Sequence, residues 1–186
     1  LQRLLTLHTE WRVGAKGRLS ASIAVNKNPA IPFLPRFGLR LFLPEEIQNV
    51  TYFGYGPYES YVDKHHASWR GRFSRTVHEM HEDYLFPQEN GSHCGCRWVA
   101  LEGPAGGLRI AAQNAPFSFN ASPFTQEMLT KCAHNYELTP SGCTVLCIDY
   151  AQSGIGSNSC GPELDKKYRL DEDTFTFSFL LCPFSK

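Results

Sequence analysis

The chain has 186 residues, and 18 Lys plus Arg balance 18 Asp plus Glu, so the formal net charge is zero with neutral histidines. That balance argues against a nucleic-acid binder, which needs a basic surplus. A 19% share of charged residues and 42% of apolar ones exclude a disordered tail or a coiled coil and provide for a real core. No apolar run is long enough for a transmembrane helix, and Arg3, His8, Glu10 and Arg12 interrupt the opening residues, which speaks against a signal peptide. The expectation is one soluble domain over residues 1–186.

In chain order, period-two alternation dominates, the mark of half-buried strands. Thr6–Val13 and Arg18–Val25 read as a hairpin turned by Gly14-Ala15-Lys16-Gly17, with Leu19, Ala21, Ile23 and Val25 on one face. Prolines break the chain before a strand carrying Phe37, Leu39, Leu41 and Leu43, in which Phe42 is the misfit. A Gly-Pro turn and a short turn of helix are expected over Pro57 to Lys64. The glycine-rich loop Gly103–Gly107 precedes Leu108, Ile110 and Ala112, and Phe117 and Phe119 follow. One helix is expected, capped by Ser122, with Pro123 in its first turn and Met128, Leu129, Cys132 and Tyr136 on its apolar face. Val145 and Cys147 oppose Leu146 and Ile148, a strand buried on both faces. Phe175, Phe177, Phe179 and Leu181 form the last apolar face. The pattern predicts a mostly β, antiparallel sandwich.

Seven cysteines sit at 94, 96, 132, 143, 147, 160 and 182. The odd count and the apolar settings of several favour reduced thiols acting as small hydrophobes. Cys94-Gly95-Cys96 is one residue too tight for a zinc pair, and no metal ligand set emerges. Cys160 has no base beside it in sequence and is a poor nucleophile.

Four polar segments hold residues a site could use. Gly54 to Lys64 carries three tyrosines and two carboxylates, which suit either a sugar site or a turn whose carboxylates satisfy backbone amides and Lys64; the turn is favoured. His78 and His81 are three residues apart, so a zincin helix is excluded, and the adjacent His65 and His66 should point opposite ways. Pro87 to His93 reads as a polar turn from which Gln88, Glu89 and His93 could face a ligand. Gln152 to Pro162 has the glycines of a phosphate loop without its Gly-Lys-Ser/Thr ending, and is better read as a binding-site wall. The residues alone therefore give a β domain with polar, aromatic loops and no self-contained catalytic set.

The same loops resemble those of a known family. Phe53-Gly54-Tyr55-Gly56-Pro57-Tyr58-Glu59-Ser60-Tyr61-Val62-Asp63-Lys64 is similar to the Gly-x-Gly-Pro-x-Glu-x-Tyr-x-Asp-Arg signature of bacterial β-galactosidases of glycoside hydrolase family 2. Tyr84-Leu85-Phe86-Pro87-Gln88-Glu89-Asn90-Gly91 resembles that family's Tyr-x-x-Pro-Gln/Ser-Glu-Asn-Gly segment, and Asp149 to Pro162 its last long loop. The resemblance implies an antiparallel β-supersandwich of galactose-mutarotase-like architecture, of which this chain would be the C-terminal two thirds. It implies no catalytic residue here, since the family's two glutamates lie in a separate barrel. It also implies that Asn158, Ser159 and Cys160 wall the acceptor side of a galactoside pocket, with Cys160 at a position where some members carry a stacking tryptophan. Glu59, Glu89 and His81 remain either sugar-facing or structural.

The implied partners are the remaining domains of a homo-oligomeric, cytoplasmic parent that hydrolyses β-D-galactosides such as lactose. Magnesium and sodium are implied for that parent and not for this chain, where Phe86 and Leu129 could offer only backbone oxygens. Two alternatives stand beside this reading. One is a free-standing carbohydrate-binding module using Tyr55, Tyr58, Tyr61, Trp69 and Trp98; the other is a mutarotase-like domain using His81 and Glu89.

Overall fold

In the computed structural model, which describes residues 2–156 and 161–186, strands dominate and form two antiparallel sheets. β1 (Leu5–Val13) pairs with β2 (Leu19–Lys27) from Leu5 opposite Lys27 to Val13 opposite Leu19, which is the expected hairpin. Beyond β2 the larger sheet continues through β11 (Thr174–Ser185), β8 (Gly106–Ala112), β7 (Trp98–Glu102), β4 (Asn49–Gly56) and β5 (Trp69–Thr76). The smaller sheet runs β3 (Arg36–Pro44), β10 (Cys143–Gln152), β9 (Phe117–Ser122) and β6 (His93–Cys96).

Alternation decides what faces the core. The larger sheet sends in Ile23, Val25, Tyr52, Leu101, Ile110, Phe177 and Phe179, and the smaller answers with Phe119, Ala121, Leu146 and Ile148. Each full burial of such an apolar side chain stabilises the fold by roughly 1.5–3 kcal/mol. In β10, residues Thr144 to Asp149 are all buried, as the two-sided apolar pattern predicts. Its outer face is covered from α1 (Gln126–Lys131), where the Gln126 Nε2 donates to Cys147 Sγ at 3.1 Å. β1 is an edge strand of the larger sheet, and its Leu7, Trp11 and Val13 stay exposed.

The helix is shorter than expected and starts later. Thr125 caps it, accepting from the Met128 amide at 3.2 Å, whereas Ser122 ends β9 and turns its hydroxyl to the Phe124 amide at 3.1 Å. That local turn holds residues 122–124 outside the helix. Of its apolar face only Leu129 is buried; Cys132 is already extended, and Tyr136 lies exposed in a separate 3-10 turn. Pro57 to Lys64 is not helical. Tyr61 and Lys64 exchange backbone hydrogen bonds at 2.8 and 3.1 Å, and the carboxylates between reach distant amides instead. His65 and His66 lie in a turn rather than an extended run, and their rings stack at 5.2 Å and 12°.

The glycines of the Gly54-Tyr55-Gly56 run have a packing cause. β6 crosses β4 so closely that a Cβ on Gly54 would fall 2.3 Å from Cys96 Sγ and 3.1 Å from its Cα. A Cβ on Gly56 would meet the Tyr52 hydroxyl at 2.3 Å. Gly54→Ala is therefore expected to cost about 1–3 kcal/mol by overpacking, read as a lower urea midpoint with unchanged slope. An unshifted midpoint would mean that the two strands separate freely.

Among the described residues no helix is long and apolar enough to cross a membrane. Cys94, Cys96, Cys132, Cys143, Cys147 and Cys182 are free thiols.

Candidate functional site

Three loops far apart in sequence lock together at one end of the smaller sheet. The first knot is Glu59, which is buried; its carboxylate accepts from Lys64 Nζ, the Tyr84 hydroxyl and the Gly91 amide, the last at 2.9 Å. Burial works to raise this carboxyl, but the hydrogen bonds from Lys64, Tyr84 and Gly91 outweigh it and hold it below its ordinary value. The Lys64 ammonium is raised in return, chiefly by its hydrogen bond to Glu59. Glu59 thus ties the segment after β4 to the segment before β6.

The second knot is Asp63. Its two oxygens accept from the Ile155 and Gly156 amides, each at 3.0 Å, so a residue of the first loop grips the last one. Gly154 makes this approach possible, because a Cβ there would stand 2.5 Å from the Asp63 carboxylate.

The third knot is Arg36, at the start of β3. Its Nε donates to Asp149 Oδ1 at 3.1 Å, a second nitrogen reaches Asp149 Oδ2, and a third pairs with Glu89. The Asp149 side chain is 2% exposed and that of Glu89 46%, so the guanidinium spans from the buried sheet face to solvent. Gly38, opposite Asp149 in the register, leaves room for it: a Cβ there would lie 2.2 Å from Asp149 Oδ1. Gln152 adds a hydrogen bond to Asp149 Oδ2 at 2.8 Å. Burial works to lower the Arg36 pKa, and the carboxylates of Asp149 and Glu89 more than reverse it.

Between these knots lies a cavity of about 340 Å³, walled by Phe33, Arg36, Glu89, Ser92, Asn120 and Ile155 among others. Asn90 closes one side, accepting from the Glu82 amide at 2.9 Å and donating to the Gln88 carbonyl at 3.0 Å.

The residues singled out from the sequence are placed as follows. Glu59 is inside the first knot, and Glu89 stands at the cavity mouth on Arg36. His81 joins none of the three knots; its ring meets Phe124 edge-on at 4.9 Å, its Nδ1 has no hydrogen-bond partner, and burial lowers its pKa. Asn158, Ser159 and Cys160 lie outside the described residues. His93 does not face a ligand: it pairs with Phe119 in the register and its ring is buried against Tyr52 and Phe119 in the core. The aromatic set does not converge. Tyr58 and Trp69 are exposed, Tyr61 is buried beside Glu59, and Trp98 sits on the outer face of the larger sheet under Arg109 at 4.6 Å.

Sequence reasoning did not pick out Arg36, Ser92 or Asn120. A signal existed for their anchor, since Asp149 closes the unbroken apolar run Val145 to Ile148, where a carboxylate must find a cation. For the hard cations that the resemblance implies, oxygen ligands are needed. Among the described residues no group of three or more His, Cys, Asp or Glu side chains converges.

The chain is thus a two-sheet antiparallel sandwich whose three loop motifs interlock beside a cavity with both polar and apolar walls. The chain belongs to the β-galactosidase small chain family, whose model matches residues 1–181. It is 50% identical over 177 residues, 95% of its length, to a β-galactosidase of Actinobacillus pleuropneumoniae. Identity is 42% over 92% of the chain to the β-galactosidase of Staphylococcus xylosus, and 31% over 93% to that of Streptococcus thermophilus. The chain spans 17% of the length of each of these relatives.

Proposed function

We propose that this chain is the non-catalytic C-terminal β domain of a β-galactosidase, holding the loop that shapes the acceptor side of the pocket. Its parent is a cytoplasmic homo-oligomer, supplied with magnesium and sodium by its other domains, that hydrolyses terminal β-D-galactosides such as lactose. Asn158, Ser159 and Cys160 are the residues presented to the sugar. The observation that carries the reading is the grip of Asp63 on the Ile155 and Gly156 amides, immediately before those residues. The names of the relatives support the parent activity.

The chemistry of the carboxylates supports a positioning role. A glycosidase needs one protonated and one ionised carboxyl across the scissile bond. Glu59 is held ionised by donors from Lys64, Tyr84, Gly91 and Tyr61 and spends its oxygens on them, and Asp149 is bound by Arg36 and Gln152. Both serve the fold. The exposed Leu7, Trp11 and Val13 of β1 give the remaining domains an apolar face to cover.

In the full-length parent, Asp63→Ala is expected to raise KM for lactose and aryl galactosides about tenfold, because two charge-assisted hydrogen bonds to the loop are lost. The 186-residue chain alone should not turn over a chromogenic β-galactoside. Turnover by the pure chain would overturn the supporting role, and an unchanged KM would remove the loop's part in the pocket.

A further inference from the structure

The outer face of the larger sheet carries charge that neither the core nor the interlocked loops use. Its register sets Arg72, Phe53, Trp98, Ala111 and Leu180 in one row across β5, β4, β7, β8 and β11. Thr51, Ala100, Arg109 and Cys182 form the next row. The small side chains of Thr51, Ala100 and Ala111 floor a groove of about 740 Å³, lined also by Lys16, Arg18, Arg72 and Arg109. Lys16 and Arg18 arrive from the hairpin between β1 and β2. Lys16 takes a φ of 61°, a left-handed conformation rare outside glycine, and a Cβ on Gly17 would touch Pro183 of β11 at 3.6 Å. The turn thus lies against the groove. Arg109 is held over the Trp98 ring at 4.6 Å.

Among the described residues none of the four cations forms an ion pair, and Glu102 is the one carboxylate in the lining. Taking four cations and one carboxylate from 18 of each leaves 14 against 17 over the rest of the chain. Positive charge is therefore concentrated here on an otherwise acidic molecule, and such a field attracts an anion. From Arg72 on β5 to Arg18 beside β2 the groove crosses five strand spacings, about 24 Å. An extended peptide of about seven residues has that reach. Its carboxylates suit the guanidinium groups, and its apolar side chains suit Trp98 and Phe184. A nucleic acid would run past this short stretch onto the net-negative remainder and be repelled.

The geometry points to a docking groove on this face for an extended acidic segment of a separate polypeptide, gripped by Arg18, Arg72 and Arg109. The surface assigned above to the parent's other domains is elsewhere. Leu7, Trp11 and Val13 share the inner face of the same sheet, where Trp11 meets Phe179 edge-on at 6.1 Å. That choice of source rests on the proposed supporting role, and the acidic character of the occupant does not.

Isothermal titration of the 186-residue protein with the blocked heptapeptide Glu-Glu-Phe-Glu-Glu-Phe-Glu tests it. Saturable heat with a Kd below about 1 mM is expected at 50 mM NaCl, weakening about three- to tenfold at 250 mM. Arg72→Ala and Arg109→Ala should each weaken binding about two- to fivefold, and Arg72→Glu more, with Tm near wild type. Lys131→Ala, on α1, should change nothing. Arg72 is exposed, so if Arg109→Ala disturbs Trp98, Arg72→Glu decides. No heat from the folded protein, affinity unmoved by Arg72→Glu, equal binding of the lysine counterpart, or tighter binding of heptathymidylate would each overturn the groove. Self-association that Arg72→Glu abolishes, seen by sedimentation, would overturn it in favour of a second copy. The same titration on the full-length parent separates the sources: retained binding supports a separate partner, and lost binding overturns it by showing that the parent's own domains cover the face. An unchanged KM in Asp63→Ala would remove the loop's role and leave this groove standing.

Discussion

Replacing Arg36 by alanine should lower the unfolding free energy at pH 7 by about 3–5 kcal/mol, the range for removing one partner of a buried pair. The cause is what the substitution leaves behind. The Asp149 side chain is 2% exposed on the covered face of the smaller sheet, and after the change only Gln152 still donates to its carboxylate. The folded protein then has two costly choices, an uncompensated buried charge or a proton taken up at neutral pH. Burial already lifts the Asp149 carboxyl above its ordinary value with Arg36 in place, and losing the guanidinium lifts it further, so the variant gains stability relative to wild type as pH falls. The deficit should therefore shrink between pH 7 and pH 5. Arg36→Lys keeps a charge but loses the planar fork that reaches Asp149 and Glu89 at once, and should fall in between. Urea unfolding at the two pH values measures all of this. A deficit under about 1 kcal/mol for Arg36→Ala would show that Asp149 is better hydrated than its burial implies.

Asp149 also marks where the sequence stopped being legible. The two sheets could be read from alternation, because the strand period is two and each sheet has one face in the core. The hairpin ending in Val25 and the Phe-rich last strand follow directly. Both errors in the helix came from local turn chemistry: a Ser hydroxyl can hold its own turn as well as cap a helix, and only the structure says which amide it meets. The interlocking of Glu59 with Gly91, and of Asp63 with Ile155 and Gly156, joins residues 32 and more than 90 positions apart. No local pattern specifies such a pairing. The glycines at 38, 54 and 154 hold the same information in another form, since each is small only because another element passes close by. His93 was misread for a related reason. A polar turn precedes it, but β6 begins at that residue and the strand turns its ring inward.

That inward ring makes the protein sensitive to acid. His93 is 2% exposed, stacked on Phe119 and tilted against Tyr52, with Nδ1 2.9 Å from the Tyr52 hydroxyl and 3.1 Å from the Tyr55 carbonyl. The carbonyl selects the tautomer that carries a proton on Nδ1, so the ring is already satisfied while neutral. Burial dominates its titration and pushes the pKa down to about 4, against the smaller upward pull of the Tyr55 carbonyl. In the unfolded chain the same ring titrates near the ordinary value of about 6.5. Between those two values the unfolded state binds the extra proton, so stability is full above about pH 6.5 and falls as the pH drops toward 4. The accumulated loss should be roughly 3 kcal/mol, taking about 1.4 kcal/mol for each pH unit separating the two pKa values. Glu59 acts in a lower window: its folded pKa is depressed, so its contribution is present above the usual carboxylate range and is lost only below it. Unfolding in urea at pH 7.5, 6, 5 and 4.5 should therefore show a slope that approaches one proton from His93 and begins well above carboxylate titration. His93→Gln should flatten that slope while lowering stability at pH 7.5. A wild-type profile that stays level from pH 6.5 to 4.5 would mean that the ring is hydrated or already charged in the folded protein.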